Sequence, residues 1–321
     1  MRSTSATSRL RRRPPSTPEC ELVSPRATEQ SQQMHFAIRY LSRYRYDADV
    51  VDNINALRIR PATSSRQQVD DFAVRLSPEV RQHWHKDYFG TDVVEFEITR
   101  PHRELVIDAH AHVTTEPQPD PPACDWADLT APGYREAGSE FLTQTDDPAG
   151  HPLLAELLAE LTGLASPLDA VLLASELIPD RLEYRKGATY VDSTLEHVLE
   201  LRAGVCQDFV HLGLYLLRAQ GIAARYVSGY LYVRGDEAVD DAASVEVDTH
   251  AWIETLLPSA GAEPRWVSID PTNRGLTGES HVKIGHGRHY ADVPPIKGVY
   301  RGSANSVLEA SVMMTRTEPV G

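Results

Sequence analysis

The sequence predicts an α+β protein in two parts: a β-rich N-terminal domain, then a domain of helices followed by strands. Three observations predict it. Apolar residues recur with period two over residues 34–113, with helical spacing over residues 153–217, and in short strand-like runs after residue 224. A chain of 321 residues with 41% hydrophobic content has room for one large domain or two smaller ones, each with a core.

Residues 1–33 precede the patterning. They hold six Arg, no Lys and three Glu, including Arg11-Arg12-Arg13-Pro14-Pro15, among many Ser, Thr and Gln. No apolar stretch follows the arginines, so this is no readable signal peptide. The expectation is a disordered leader, which cannot bury enough apolar surface to offset its ordering entropy. An upstream start-site extension fits as well.

Residues 34–115 form the β-rich domain. Phe36, Ile38, Tyr40, Tyr44 and Tyr46 share one parity, as in a half-buried strand bent near Ser42. Phe72-Val74-Leu76 and Val94-Phe96-Ile98 repeat the pattern, as do Leu105, Ile107, Ala109, Ala111 and Val113. Residues 116–122 (EPQPDPP) then break regular structure, and residues 116–150 read as a Pro-rich connection.

Residues 151–321 form the second domain, with a C-terminal strand. Leu153, Leu154, Leu157, Leu158 and Leu161 mark a first helix ending near Gly163. Ser166-Pro167-Leu168-Asp169 opens a second, with Ser as N-cap and Pro at the first position. Ser193-Thr194-Leu195-Glu196 announces a third, closed by Gly204, and a fourth runs over residues 206–220 with Gly221 beyond it. Strands follow over residues 224–233, 249–257 and 265–269.

The net charge is −14, with about +3 in the leader and −17 in the rest. An acidic body argues against non-specific nucleic-acid binding. Nothing approaches 18 consecutive apolar residues, so no membrane span is readable. Cys20, Cys124 and Cys206 are too few and too scattered for a disulfide framework, which makes the cytoplasm the expected compartment. Oligomeric state is not readable.

Chemistry concentrates in three places. In Gly204-Val205-Cys206-Gln207-Asp208-Phe209 the cysteine opens a helix, where unpaired N–H groups and the macrodipole favour a thiolate. Taken alone, Cys206 reads equally as a small buried hydrophobe. A cysteine nucleophile needs a base, and the base an orienting partner. His250 begins one strand (THAWIE) and Asp270 ends the next (WVSIDPTN), so antiparallel pairing of the two would bring them together. Separately, each reads as a structural residue.

GVCQDFVHLGLYLLRAQGIAARYVSGYLYV, THAWIE and WVSIDPTN together resemble the transglutaminase-like core. Transglutaminases, papain-like peptidases and related amidases share this core. The upstream EYRKGATYVDSTLEHVLELRAGVCQDF and the later HVKIGHGRHYADVPPIKGVY resemble flanking segments of bacterial members, whose β-rich N-terminal domain residues 34–115 resemble more weakly. The resemblance spans residues 34–315; one departure is His289, where an Asp is expected before the Tyr.

It implies a papain-like, transglutaminase-type core with Cys206, His250 and Asp270 as catalytic residues and no cofactor. The implied substrate is an amide of a peptide or protein, attacked by Cys206 to give an acyl-enzyme, with hydrolysis favoured over transfer to an amine. His250 would move the proton, a contribution of roughly 10²–10⁴-fold. The Cys206 backbone N–H would serve the oxyanion, worth about 3 kcal/mol. The alternative is a non-catalytic protein-binding module that keeps the scaffold.

Other signals point to plainer roles. His83/His85 and His110/His112 each put two imidazoles on one strand face, a spacing that can ligate Zn²⁺ or Cu²⁺. A solvated face is the simpler reading, and no metal is expected. His211 lies five residues beyond Cys206 and so points elsewhere on the helix. Asp208 suits the first helical turn, in a supporting role. The acidic run at residues 236–241 reads as a solvated loop.

Overall fold

The computed structural model describes residues 33–146, 148, 150–233, 244–259 and 261–318. All but the last residue of the expected leader, and the acidic run at residues 236–241, lie outside the described residues.

Five strands come first: β1 (Met34–Leu57), β2 (Gln67–Ser77), β3 (Gln82–Lys86), β4 (Asp92–Ile98) and β5 (His102–Thr115). β1 pairs with β5 along its first half and with β4 along its second. The register slips between Arg45 and Val50, so the bend expected near Ser42 falls a few residues later. Ser42 itself is buried in the regular part of the strand.

Residues 116–150 are more ordered than a Pro-rich connection. They hold a 3-10 turn (Trp126–Thr130) and α1 (Pro132–Leu142), with Tyr134, Gly138 and Phe141 buried along one helical stripe. Next come α2 (Pro152–Glu160), α3 (Pro167–Arg181), β6 (Glu183–Tyr184), α4 (Leu195–Leu201), β7 (Ala203–Gly204) and α5 (Cys206–Ala219). The expected caps form: Ser166 Oγ accepts from Asp169 N at 3.2 Å, and Thr194 Oγ1 from His197 N at 3.3 Å. Gly204 does not stop α4. Arg202 does, in the left-handed region at φ 48°, and Gly204 belongs to a short parallel pairing of β7 with β6.

The remaining strands are β8 (Ala224–Leu231), β9 (Ser244–Val247), β10 (Thr249–Ser259), β11 (Ala262–Asp270), β12 (Gly275–Leu276), β13 (His281–Gly287), β14 (Ile296–Arg301) and β15 (Ser306–Thr317). β12, β11, β10, β8 and β13 make a five-stranded sheet, in that order. β9, β14 and β15 instead join the N-terminal strands in an eight-stranded sheet, β15 pairing with β1 from Tyr46 back to His35. That sheet is therefore not built from residues 34–115 alone.

Two cores result. One lies between the helices and the near face of the five-stranded sheet, where α5 sets Phe209, Leu212, Leu216 and Leu217 against Ala251, Ile253 and Val267. Each such leucine contributes about 2 kcal/mol by burial. The other joins the sheets, with Phe36, Ile38 and Val113 of one packed with Tyr230, Val282 and Ile284 of the other. The effect is to hold the end of α5 that carries Cys206 against the strand that carries His250.

Candidate active site

Cys206 is the first residue of α5 and is partly exposed. A backbone N–H in the first helical turn has no intrahelical acceptor, so that of Cys206 is free to meet a ligand oxygen. The turn before it is fixed by Asp208, whose Oδ2 accepts from Val205 N at 2.8 Å and from Thr189 Oγ1 at 2.7 Å. A Cβ on residue 204 would stand 2.6 Å from that oxygen, so only glycine fits there. Burial pushes the Asp208 carboxyl up, although the bonds from Thr189 and Val205 oppose it.

β10 and β11 pair antiparallel, with Ile253 opposite Ile269 and Glu254 opposite Ser268. His250, Trp252 and Glu254 share one parity on β10, as do Trp266, Ser268 and Asp270 on β11. His250 donates from Nε2 to Asp270 Oδ2 at 2.8 Å. The Cys206 side chain lies beside it, near enough to favour the charged ring. With Nε2 engaged by the carboxylate, Nδ1 is the nitrogen left for the sulfur. The structure thus brings together the three residues that the sequence singles out.

Electrostatics follow from this arrangement. Burial disfavours the His250 imidazolium and is the largest single influence, but the hydrogen bond to Asp270 and the nearness of Cys206 outweigh it and hold the pKa up at about 9. Asp270 is buried, which by itself would raise its pKa. The hydrogen bonds from His250 and from a second histidine, with their charges, bring it well below the usual carboxylate range.

Those donors include a residue the sequence did not single out. His281, at the start of β13, donates from Nε2 to Asp270 Oδ2 at 3.0 Å. Gly278 N–H donates to His281 Nδ1 at 3.3 Å, which places the neutral ring's proton on Nε2. Asn273 Nδ2 completes Oδ2 at 2.6 Å, and the backbone N–H groups of Thr272 and Asn273 serve Oδ1 at 2.9 and 3.3 Å. The carboxylate accepts five hydrogen bonds and cannot easily turn away from His250. His281 shares with His250 one legible signal, a histidine opening a strand.

His250, Asp270 and His281 are also the one group among the described residues that could hold a metal ion, their ligand atoms lying within 4.8 Å of one another. His110 Nε2 lies 3.2 Å from Asp108, while His83 and His85 stack on each other. His211 is buried and stacked on His289 at 4.0 Å between ring centroids, away from the sulfur. Burial, with His289 and Arg218 nearby, holds its pKa down at about 3. The departure at His289 therefore has a packing role.

Comparison with known proteins agrees with this architecture. Residues 36–114 match the bacterial transglutaminase-like N-terminal region, and residues 155–271 match the transglutaminase-like superfamily. An uncharacterised protein of Mycobacterium leprae is 33% identical over 274 residues, covering 85% of this chain and 95% of its own. A protein-glutamine gamma-glutamyltransferase of Pseudomonas aeruginosa is 32% identical over 120 residues, 36% of this chain and 17% of its own. The fold resembles a crystal structure from Cytophaga hutchinsonii, provisionally described as a cysteine protease, with TM-score 0.71 and 22% identity over 91% of this chain and 93% of that one. The chain belongs to the bacterial transglutaminase-like family, with the N-terminal region and core of the transglutaminase-like superfamily.

Proposed function

We propose that this protein cleaves amide bonds of a peptide or protein through an acyl-enzyme on Cys206. One observation carries the reading: a single imidazole, His250, donates to a buried carboxylate while the side chain of Cys206 lies beside it, near enough to favour its charged form. The sulfur attacks the carbonyl carbon, and the Cys206 N–H, aimed outward from the helix start, steadies the oxygen that gains charge. The C–N bond then breaks as His250 gives a proton to the departing amine. Water, deprotonated by the now neutral His250, takes the acyl group and releases Cys206. Asp270 keeps the ring oriented and its cationic form stable.

Hydrolysis is favoured because it needs no second substrate site. Acyl transfer to an amine is the second reading, and the shared core with a gamma-glutamyltransferase supports it. A non-catalytic binding module would have no need of the intact cysteine, imidazole and carboxylate. The scattered cysteines support a cytoplasmic setting.

The test is to incubate the full chain with a peptide library, with and without a primary amine, and to identify products by mass. Hydrolysis gives new termini in both arms, and transfer gives an amine adduct in the second. No turnover in either arm, with Cys206→Ala behaving identically, would sink the enzyme reading.

A further inference from the structure

The face of the five-stranded sheet that carries His250 and Asp270 continues, beyond Trp252, into a different kind of site. A cavity of about 340 Å³ lies there, lined among others by Arg66, Arg225, Glu254, Trp266, His281 and Lys283. Its size is that of a small-molecule pocket. Its charges do not balance.

Two cations share one buried carboxylate, and a third, Arg66, lines the same cavity without reaching it. Arg225 Nε and Lys283 Nζ both donate to Glu254 Oε2 at 2.6 Å. Arg225 is well partnered: it also stacks on the Trp266 ring at 3.7 Å and reaches His286 at 3.0 Å. Arg66 is not. Among the described residues its guanidinium makes one long hydrogen bond, to Ser268 Oγ at 3.4 Å, and no ion pair within 4.0 Å. Burial lowers its pKa, a sign of a cation held where water serves it poorly. Lys283, pressed by burial and by the cations around it against the pull of Glu254, sits at about 8.

The arrangement is built rather than incidental. The buried side chain of Gln67 accepts from Lys283 N and donates to Lys283 O, both at 2.7 Å, and so locks the residue beside Arg66 to the strand of Lys283. The fork of Arg66 and the two spare protons of Lys283 thus line one partly open cavity. An unpaired cation there is costly, and an anion of the right size would relieve it. Exposed Glu116 and Asp120 at the rim oppose anything large and highly charged.

We propose that this cavity is a binding site for a small oxyanion, a carboxylate or phosphate group gripped by Arg66 and Lys283. Arg66 offers the planar fork that such a group accepts, and Trp252 and Trp266 give an apolar wall for what it is attached to. The site does not depend on Cys206 reacting, so it stands or falls separately from the amide-cleavage reading.

The experiment titrates the full chain with citrate and, separately, with inorganic phosphate, using calorimetry and thermal melting against chloride at matched ionic strength. At least one anion should bind and raise the melting temperature, and the tighter of the two identifies the group preferred. Arg66→Gln should weaken binding at least about tenfold, while Cys206→Ala should bind as the wild type does. Arg66→Lys, which keeps the charge without the fork, should fold and lose affinity severalfold. Binding of neither anion beyond the chloride control, or undiminished affinity in every folded Arg66 variant, overturns the proposal.

Discussion

Gly213, on the helix that Cys206 begins, lies against Ile253, three residues along the strand that His250 enters, so closely that a Cβ on residue 213 would collide with the Ile253 side chain. The missing side chain lets α5, which carries Cys206, pack closely on β10, which carries His250. Gly213→Ala should therefore cost about 1–3 kcal/mol by overpacking, despite the better helix propensity of alanine. Urea unfolding measures the cost, and turnover should fall with it. A neutral or stabilising result would show that the helix can shift freely.

Asp270→Asn keeps the shape of the carboxylate but removes its charge and offers a donor where His250 and His281 both donate. Turnover should drop by roughly 10²–10⁴-fold with little change in KM, because the lost interaction serves the ring and not the substrate. Steady-state kinetics on any substrate found in the peptide screen decide this. A variant within twofold of wild type would remove Asp270 from the mechanism.

His281→Gln leaves Asp270 with His250 and Asn273 as side-chain donors, so its effect should be smaller, about tenfold on kcat. His281 acts through Asp270 as a positioning residue. The variant should accordingly shift the pH profile of kcat, because the His250 environment changes, whereas a merely structural loss would lower the rate equally at every pH.

Stability should depend on pH through His250. Its pKa is about 9 when folded against 6.5 as its ordinary value, so the folded state holds the extra proton between these values. The stabilisation is complete below pH 6.5 and is lost as pH rises towards 9, by on the order of 3 kcal/mol. Asp270 works in the opposite sense, its contribution being present above pH 3.8 and lost on acidification below that. Lys283, lowered to about 8, partly offsets the His250 trend above pH 8. Comparing wild type with His250→Gln by urea unfolding isolates the His250 slope. An unchanged slope in the variant would show that His250 is not the group responsible.

Glu254→Gln should destabilise by about 3–5 kcal/mol, because it leaves Arg225 and Lys283 buried without their shared carboxylate. Denaturant unfolding at constant salt is the measurement. A loss below 1 kcal/mol would mean that solvent already serves these cations.

The sequence made the local parts of the site legible. Cys206 at a helix start follows from the residues around it, and β-strand parity with antiparallel pairing is enough to put His250 beside Asp270. His281 was hidden because its place depends on where the chain goes after Asp270: past β12 and across to β13, on the far side of β8. Parity within one strand carries no information about strand order. The same gap concealed β9 and β14, and the pairing of the expected C-terminal strand, β15, with β1, more than 200 residues away in sequence. Helix α1 was legible but passed over: Pro132 at its first position and the spacing of Tyr134, Gly138 and Phe141 announce it. The end of α4 was misread because Arg202, not a glycine, takes the left-handed conformation.

Covalent catalysis by Cys206 is tested by quenching the protein with acid during its first turnovers on an amide substrate and weighing it intact. An acyl-enzyme gives a mass gain of one acyl group, mapping to the peptide that contains Cys206 and absent from Cys206→Ala. Product formation with no adduct at any time, equally fast in Cys206→Ala, would contradict it.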